Sequence, residues 1–168
     1  MKKIILIVVM GLLLFVVGSH DIVAQETGSF TYERAYNDYL YNLDQYQKLH
    51  GEYEIAKNGY LKNPTLAAQA EAIVKTKNML FIRDEVLITY LTALKLKIID
   101  TRGVSANDKL NLATQIDNEV VWHKNHQKRL ASSGSLEDLS ADSEAGLERF
   151  DEFTEILAYK TLTTISVG

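Results

Sequence analysis

Residues 32–60, YERAYNDYLYNLDQYQKLHGEYEIAKNGY, repeat large side chains at alternating intervals of four and three positions. The repeated positions are Tyr32, Tyr36, Tyr39, Leu43, Tyr46, His50, Tyr53, Lys57 and Tyr60. An α-helix has about 3.6 residues per turn, so this spacing places all of these side chains along one face. The stretch therefore predicts a long amphipathic helix with a heptad seam, typical of coiled-coil packing, that ends before Asn63-Pro64.

A second run, from about Pro64 to Asp100, keeps the same alternation and predicts the partner of the first helix. Its seam consists of Leu66, Ala70, Ile73, Lys77, Leu80, Asp84, Leu87, Leu91, Leu94 and Ile98. Asn63 is the expected cap, with Pro64 at the first helical position. Gly103 is available for a left-handed turn after the helix. The two helices are expected to form a long N-terminal hairpin.

Two weaker helical patterns follow. Ser105 and Asp108 resemble a capping box that opens a third helix ending near Ala131. Its apolar face is expected to contain Leu110, Ala113, Ile116, Val120, His123 and Leu130. A fourth helix is predicted over 143–165, preceded by a helical turn or a loop at 136–142. Since no segment alternates like a strand, the expected fold is all-α, an antiparallel (up-down-up-down) four-helix bundle over residues 25–168.

The first 24 residues differ from the rest of the chain. Lys2 and Lys3 precede an unbroken apolar run, residues 4–17, and Ala24 offers a small residue before a cleavage site. These features are typical of a secretory signal peptide, since the run is short for a spanning helix. The chain is therefore expected to be exported to a periplasmic, extracellular or cell-surface location. The alternative is an uncleaved signal segment that serves as an N-terminal membrane anchor.

Composition excludes several classes of function. The chain has 168 residues, a net charge of −4 and no cysteine. Without cysteine, disulfides, thiolate metal sites and cysteine nucleophiles are impossible. A net negative chain offers no clustered basic surface for nucleic acid, so no nucleic acid partner is expected. No phosphate-binding loop, nucleophile elbow or dinucleotide fingerprint occurs, and no cofactor is expected.

Tyrosine is concentrated in the first helix. The seven tyrosines there are Tyr32, Tyr36, Tyr39, Tyr41, Tyr46, Tyr53 and Tyr60. Heptad spacing favours a role as bundle core with hydroxyl groups at the margins. A partner-binding face is the alternative, because tyrosine is enriched in interfaces. Tyr41 alone leaves the register, which predicts that it is exposed and makes it the candidate interaction residue.

Polar residues interrupt the seams of the first two helices. The principal ones are His50, Lys77 and Asp84. If the hairpin folds back around Asn63, His50 is expected near Lys77 and Asp84 near Leu43. Such residues can specify the alignment of two helices at a cost in stability. The alternative is a polar ligand pocket inside the bundle.

Glu119, His123 and His126 are the candidate metal ligands, because His and carboxylate at i and i+4 can share a metal ion. The spacing differs from that of di-iron bundles, and no second copy of the motif occurs. Both histidines lie in a polar run near a helix end, which favours a solvent-exposed face. The acidic stretch from Glu137 to Glu155 is likewise interpreted as surface charge, since it lacks the glycine and glutamate of a calcium loop.

These observations predict a non-catalytic interaction or scaffold protein of the cell envelope or extracellular space. The expected partner is another protein or a second copy of the chain, and a membrane is contacted only through an uncleaved signal segment. The alternative is a bundle that binds a small ligand or a metal ion, near His50, Lys77 and Asp84 or near Glu119, His123 and His126.

Overall fold

The computed structural model describes residues 30–168. They form α1 (Tyr32–Lys62), α2 (Leu66–Asp100), α3 (Ala106–Ser132), α4 (Leu136–Arg149), a π-helical segment (Phe150–Thr154) and α5 (Glu155–Val167). The last three follow one another without a break, so this part of the chain forms four helical rods. It is 90% helical and contains no strand, which confirms the all-α prediction.

The predicted signal peptide, residues 1–24, lies outside the described residues. Among residues 30–168, no helix is both long enough and apolar enough to span a membrane.

Each of the first four helices begins with a hydroxyl side chain that accepts a hydrogen bond from the backbone N–H three positions ahead. The caps are Thr31, Thr65, Ser105 and Ser135. These bonds satisfy backbone donors that have no partner within the helix. Helix α2 was expected from about Pro64 and begins at Leu66, but the prediction that Asn63 is its cap was wrong, since Thr65 takes that position. Asn63 instead closes α1, where its N–H donates to the Gly59 carbonyl, because a residue before proline avoids helical backbone angles.

The fourth rod starts earlier than predicted. Ser135 and Asp138 form a reciprocal capping box, so residues 136–142, predicted as a helical turn or a loop, are helical and form the first two turns of α4. The left-handed turn after α2 is confirmed, since Gly103 has a φ of +88°.

Helix α2 is the central element, because it packs against all other α-helices, whereas α1 packs chiefly against α2. Its buried apolar residues are Ala72, Met79, Leu80, Val86, Leu87, Ile88, Tyr90, Leu91, Ala93, Leu94 and Ile98. Buried apolar side chains therefore lie on more than one face of α2, and the core extends along its length. Burial of these side chains is the main source of stability.

The tyrosine stripe is largely covered. Tyr39 and Tyr46 are buried, and Tyr39 lies against Tyr90 of α2 with the ring centroids 5.4 Å apart. Burial raises the pKa of Tyr46 and raises that of Tyr90 to about 12. Tyr41 is 65% exposed, which confirms the prediction that it leaves the seam.

Candidate functional site

A buried carboxylate on α2 contacts two histidines of α3. Asp84 lies with Oδ1 3.1 Å from Nδ1 of His123 and with Oδ2 2.5 Å from Nδ1 of His126. All three residues are fully buried. The carboxylate is directed at α3, and the predicted position of Asp84 near Leu43 of α1 stays a prediction.

The prediction of a solvent-exposed face was wrong for both His123 and His126, whereas the placement of His123 on the apolar face of the third helix was confirmed. The inner face of α3 consists of Leu112, Ala113, Ile116, Glu119, His123, His126, Gln127 and Leu130. Leu110, predicted to be in the core, is instead 68% exposed. Ala113, Ile116 and Leu130 are buried as predicted. His126 is buried as well because Asp84 supplies a partner for its ring nitrogen, and buried polar groups require such partners.

The contacts of His126 define where its protons lie. Its Nε2 donates to the main-chain carbonyl of Asp142 on α4 at 2.9 Å, and a carbonyl can only accept. Burial acts to raise the pKa of Asp84, but the hydrogen bonds from His123 and His126 outweigh it and lower that pKa. The hydrogen bonds to the two rings thus favour the carboxylate form of Asp84.

A second buried carboxylate continues the network. Glu119 accepts hydrogen bonds at 3.0 Å on both oxygens from Nε of Arg149 and at 2.5 Å from Nη2 of the same guanidinium. The hydroxyl of Thr154 donates to Oε1 of Glu119 at 2.6 Å. Nε2 of His123 lies 3.4 Å from that hydroxyl oxygen, which links the two halves. The chain of contacts therefore runs from α4 through Asp84 and the two histidines to Arg149.

The π-helical segment explains how residues near the end of α4 reach α3. The N–H of Glu155 bonds to the carbonyl of Phe150, five residues earlier, so the chain makes one wide turn. Arg149 precedes this turn and Thr154 ends it, and both side chains bond to the same carboxylate, that of Glu119. Wide turns of this kind occur often at functional sites, since they alter which side chains share a face.

Aromatic rings hold the Arg149 guanidinium in place. Its central carbon lies 4.0 Å from the ring centroid of Phe153 and 5.4 Å from that of Trp122. Trp122 in turn stacks on His126, with the centroids 5.1 Å apart and the planes within 15°. An arginine that is bound bidentately and contacts two rings is rigid, because its rotamers are fixed on several sides.

A surface groove opens beside this arginine, between α3 and the segment from Arg149 to Lys160. Its volume is about 390 Å³. The lining residues are Gln115, Asn118, Glu119, Arg149, Glu152, Phe153, Ile156, Leu157 and Lys160. The groove combines an apolar wall with charges of both signs, and it reaches the buried network at Glu119 and Arg149.

The candidate metal ligands form hydrogen bonds to other side chains. Glu119 and His123 are brought together, with Nε2 3.7 Å from Oε1, but Glu119 is occupied by Arg149 and Thr154. Within residues 30–168, no group of three or more His, Asp or Glu side chains is arranged to hold a metal ion.

The other residues of the predicted polar seam lie apart from this network. Lys77 donates to the main-chain carbonyl of Ala131 at 3.3 Å. His50 packs between Tyr46 and Tyr53, and its buried Nε2 has no hydrogen-bond partner. Neither residue contacts Asp84 through a hydrogen bond or ion pair in the described part of the chain.

Sequence reasoning missed Arg83, Arg149 and Thr154. Arg83 passes Gly146 so closely that a Cβ there would collide with its Nη2, and that nitrogen is buried without a partner. Burial lowers the pKa of Arg83. The only available signal was Gly146 itself, since glycine inside a helix often marks close packing.

Comparisons with protein-family models, with curated proteins and with solved structures find no match to this chain. The functional argument therefore rests on the side chains described above.

Proposed function

We propose that this chain is an exported, non-catalytic interaction protein of the cell envelope or extracellular space, which acts through helix-mediated contact. Export is supported by the basic start, short apolar run and small residue of positions 1–24. The contact element is the end of the α1–α2 hairpin, residues 51–76, called the hairpin tip below.

The proposed topology is an antiparallel, up-down-up-down bundle. Glu52, late in α1, pairs with Lys75, early in α2, whereas the earlier Asn42 bonds to the later Thr89. The contacts of α2 with α3 run in the same opposed order, from Lys109 with the Ile99 carbonyl to Lys77 with that of Ala131. Short connections between successive helices favour this arrangement.

The hairpin tip supplies the observation that carries the proposal. All hydrogen bonds and ion pairs of residues 51–76 within the described chain stay inside the hairpin. Lys77 is the residue of α2 nearest the tip that bonds to α3 in the described chain. The part of α2 that precedes it, from Leu66, extends about 16 Å further. Four apolar side chains of the tip are more than half exposed: Ile55, Leu61, Leu66 and Val74. Exposed apolar side chains grouped on one element favour a protein contact.

A second copy of the chain is the proposed partner. The tip carries three acidic and three basic side chains: Glu52, Glu54, Glu71, Lys57, Lys62 and Lys75. Its zero net charge lets two tips approach without the repulsion expected between negatively charged chains. It also provides no attraction to anionic lipid or nucleic acid. Identical tips can pair symmetrically, so that each copy covers the apolar residues of the other.

The experiment is sedimentation of the full chain over a range of protein concentrations. The wild type is expected to dimerise, and the variant Ile55→Gln/Leu66→Gln is expected to remain a monomer. Leu110→Gln/Val121→Gln is the matched control, because these apolar side chains are also more than half exposed but lie on α3. A wild type that stays monomeric, or a tip variant that dimerises like the control, would overturn the proposal.

The groove beside Arg149 favours the second candidate function, a bundle that binds a small ligand. Its volume, about 390 Å³, lies within the range of about 300–1,000 Å³ typical of small-molecule sites. This candidate does not depend on the hairpin tip and is developed below.

A further inference from the structure

We infer that the groove between α3 and the π-helical segment binds a short peptide of two or three residues with apolar side chains and free termini. The inference rests on the groove's residues and is independent of self-association through the hairpin tip.

The apolar wall is formed by consecutive turns of one rod. Phe153, Ile156 and Leu157 line the groove, and the first two are about half exposed or more, at 49% and 60%. Large apolar side chains that stay open inside a concave surface gain stability when a ligand covers them. This wall therefore suits apolar ligand side chains.

Two opposite charges flank that wall. Glu152 and Lys160 both line the groove, both are exposed, and neither forms an ion pair in the described part of the chain. Glu119 and Arg149, the other charged pair of the groove, neutralise each other. The free charges are therefore one carboxylate and one ammonium, which match a ligand that carries an ammonium group at one end and a carboxylate at the other.

The separation of these charges selects the length of the ligand. Eight residues of helix place the Cα atoms of Glu152 and Lys160 about 12 Å apart. Helical side chains lean towards the N-terminus, so both charges shift in the same direction and their separation stays close to that of the Cα atoms. An extended chain spans about 3.3–3.6 Å per residue, so two or three residues span roughly 7–11 Å. A free amino acid is too short to reach both charges.

The opposite wall and the floor provide groups for the peptide backbone. Asn118 forms no side-chain hydrogen bond in the described chain, so its amide can both donate and accept. Gln115 uses its Nε2 on Asn111, which leaves its carbonyl oxygen as an acceptor. Nη1 of Arg149 forms no hydrogen bond to residues 30–168, while Nε and Nη2 are held by Glu119. Groups that are already fixed lose little conformational entropy on binding.

The test is calorimetric titration of the full chain with trileucine, followed in parallel by fluorescence of Trp122, the sole tryptophan. Trp122 contacts Arg149 at the groove, so occupancy is expected to change its emission. Trileucine with blocked termini and free leucine are the comparison ligands. Both are expected to bind about tenfold more weakly, because each lacks at least one of the charge contacts.

Glu152→Gln and Lys160→Gln are each expected to weaken trileucine binding about fivefold to tenfold. Glu148→Gln and Lys124→Gln are the matched controls, because both side chains are exposed and lie outside the groove. These four surface variants should all fold and sediment like the wild type. The inference is overturned if trileucine produces neither heat nor an emission change, if blocked trileucine binds equally well, or if the groove variants bind like the controls.

Discussion

Asp84 and His126 form the closest link between α2 and α3, with Oδ2 2.5 Å from Nδ1. The opposite ring nitrogen of His126 donates to the Asp142 carbonyl, so one imidazole joins three helices. A buried polar contact of this kind is weak evidence for high stability, because the groups that form it lose their hydration. Removing one member is nevertheless costly, since the other remains buried without a partner.

Asp84→Ala is therefore expected to lower the free energy of unfolding by about 3–5 kcal/mol. It leaves His126 and His123 with unpaired ring nitrogens in the interior. The measurement is urea denaturation. Asp117→Ala, which breaks the surface pair with Lys95, is the control and should cost about 1 kcal/mol or less. Equal losses in the two variants would show that the buried pair does not organise the helices.

Acid is expected to destabilise the protein through the same carboxylate. The pKa of Asp84 is lowered in the folded state, so its contribution is present above the unfolded value of about 3.9 and is lost as the pH falls towards the folded value. The unfolding free energy should therefore decline below about pH 4. The measurement is denaturation at a series of acidic pH values.

The capping residue Asp138 also has a lowered pKa, because it accepts hydrogen bonds from Ser135 and the Gly134 N–H. Asp138→Asn provides the comparison for the acid profile. We expect this variant to keep the part of the pH dependence that belongs to Asp84, and Asp84→Asn to lose that part. If Asp84→Asn has the wild-type slope below pH 4, the buried carboxylate does not control acid stability.

The first two helices could be predicted because their side chains repeat strictly. Tyr39 and Leu91, for example, lie on predicted seams and are buried. The start of α3 could be predicted from Ser105, because its hydroxyl accepts a hydrogen bond from the Asp108 N–H. Local spacing and capping were sufficient here, since both depend only on neighbours in the sequence.

The buried network could not be predicted in the same way. His123 lies 39 positions from Asp84, and spacing within α3 alone gives no sign that a partner exists. A polar run with an unknown distant partner has the same pattern as a solvent-exposed face. The π-helical segment was hidden for a similar reason, because its extra residue is stabilised by contacts of Thr154 and Arg149 with another helix.

Gly146 is expected to be required where Arg83 passes α4. Gly146→Ala should lower the unfolding free energy by about 1–3 kcal/mol, because the added methyl group displaces a buried guanidinium. Gly51→Ala is the matched control. It lies in α1 with no atom near its added Cβ, so it should gain up to about 1 kcal/mol from helix propensity. Equal stabilisation of both variants in thermal denaturation would contradict the close approach.

Tyr39 and Tyr41 test the two roles considered for the tyrosines of α1, as bundle core and as a partner-binding face. Tyr39 is buried against Tyr90, so Tyr39→Ala should cost about 3–5 kcal/mol, as other large core truncations do. Tyr41 is mostly exposed, so Tyr41→Ala should change stability by less than about 0.5 kcal/mol. Denaturation measures both, and sedimentation of Tyr41→Ala shows whether this ring assists self-association. Similar losses for the two variants would mean that the face bearing Tyr41 is also covered, which would contradict the packing of α1 described above.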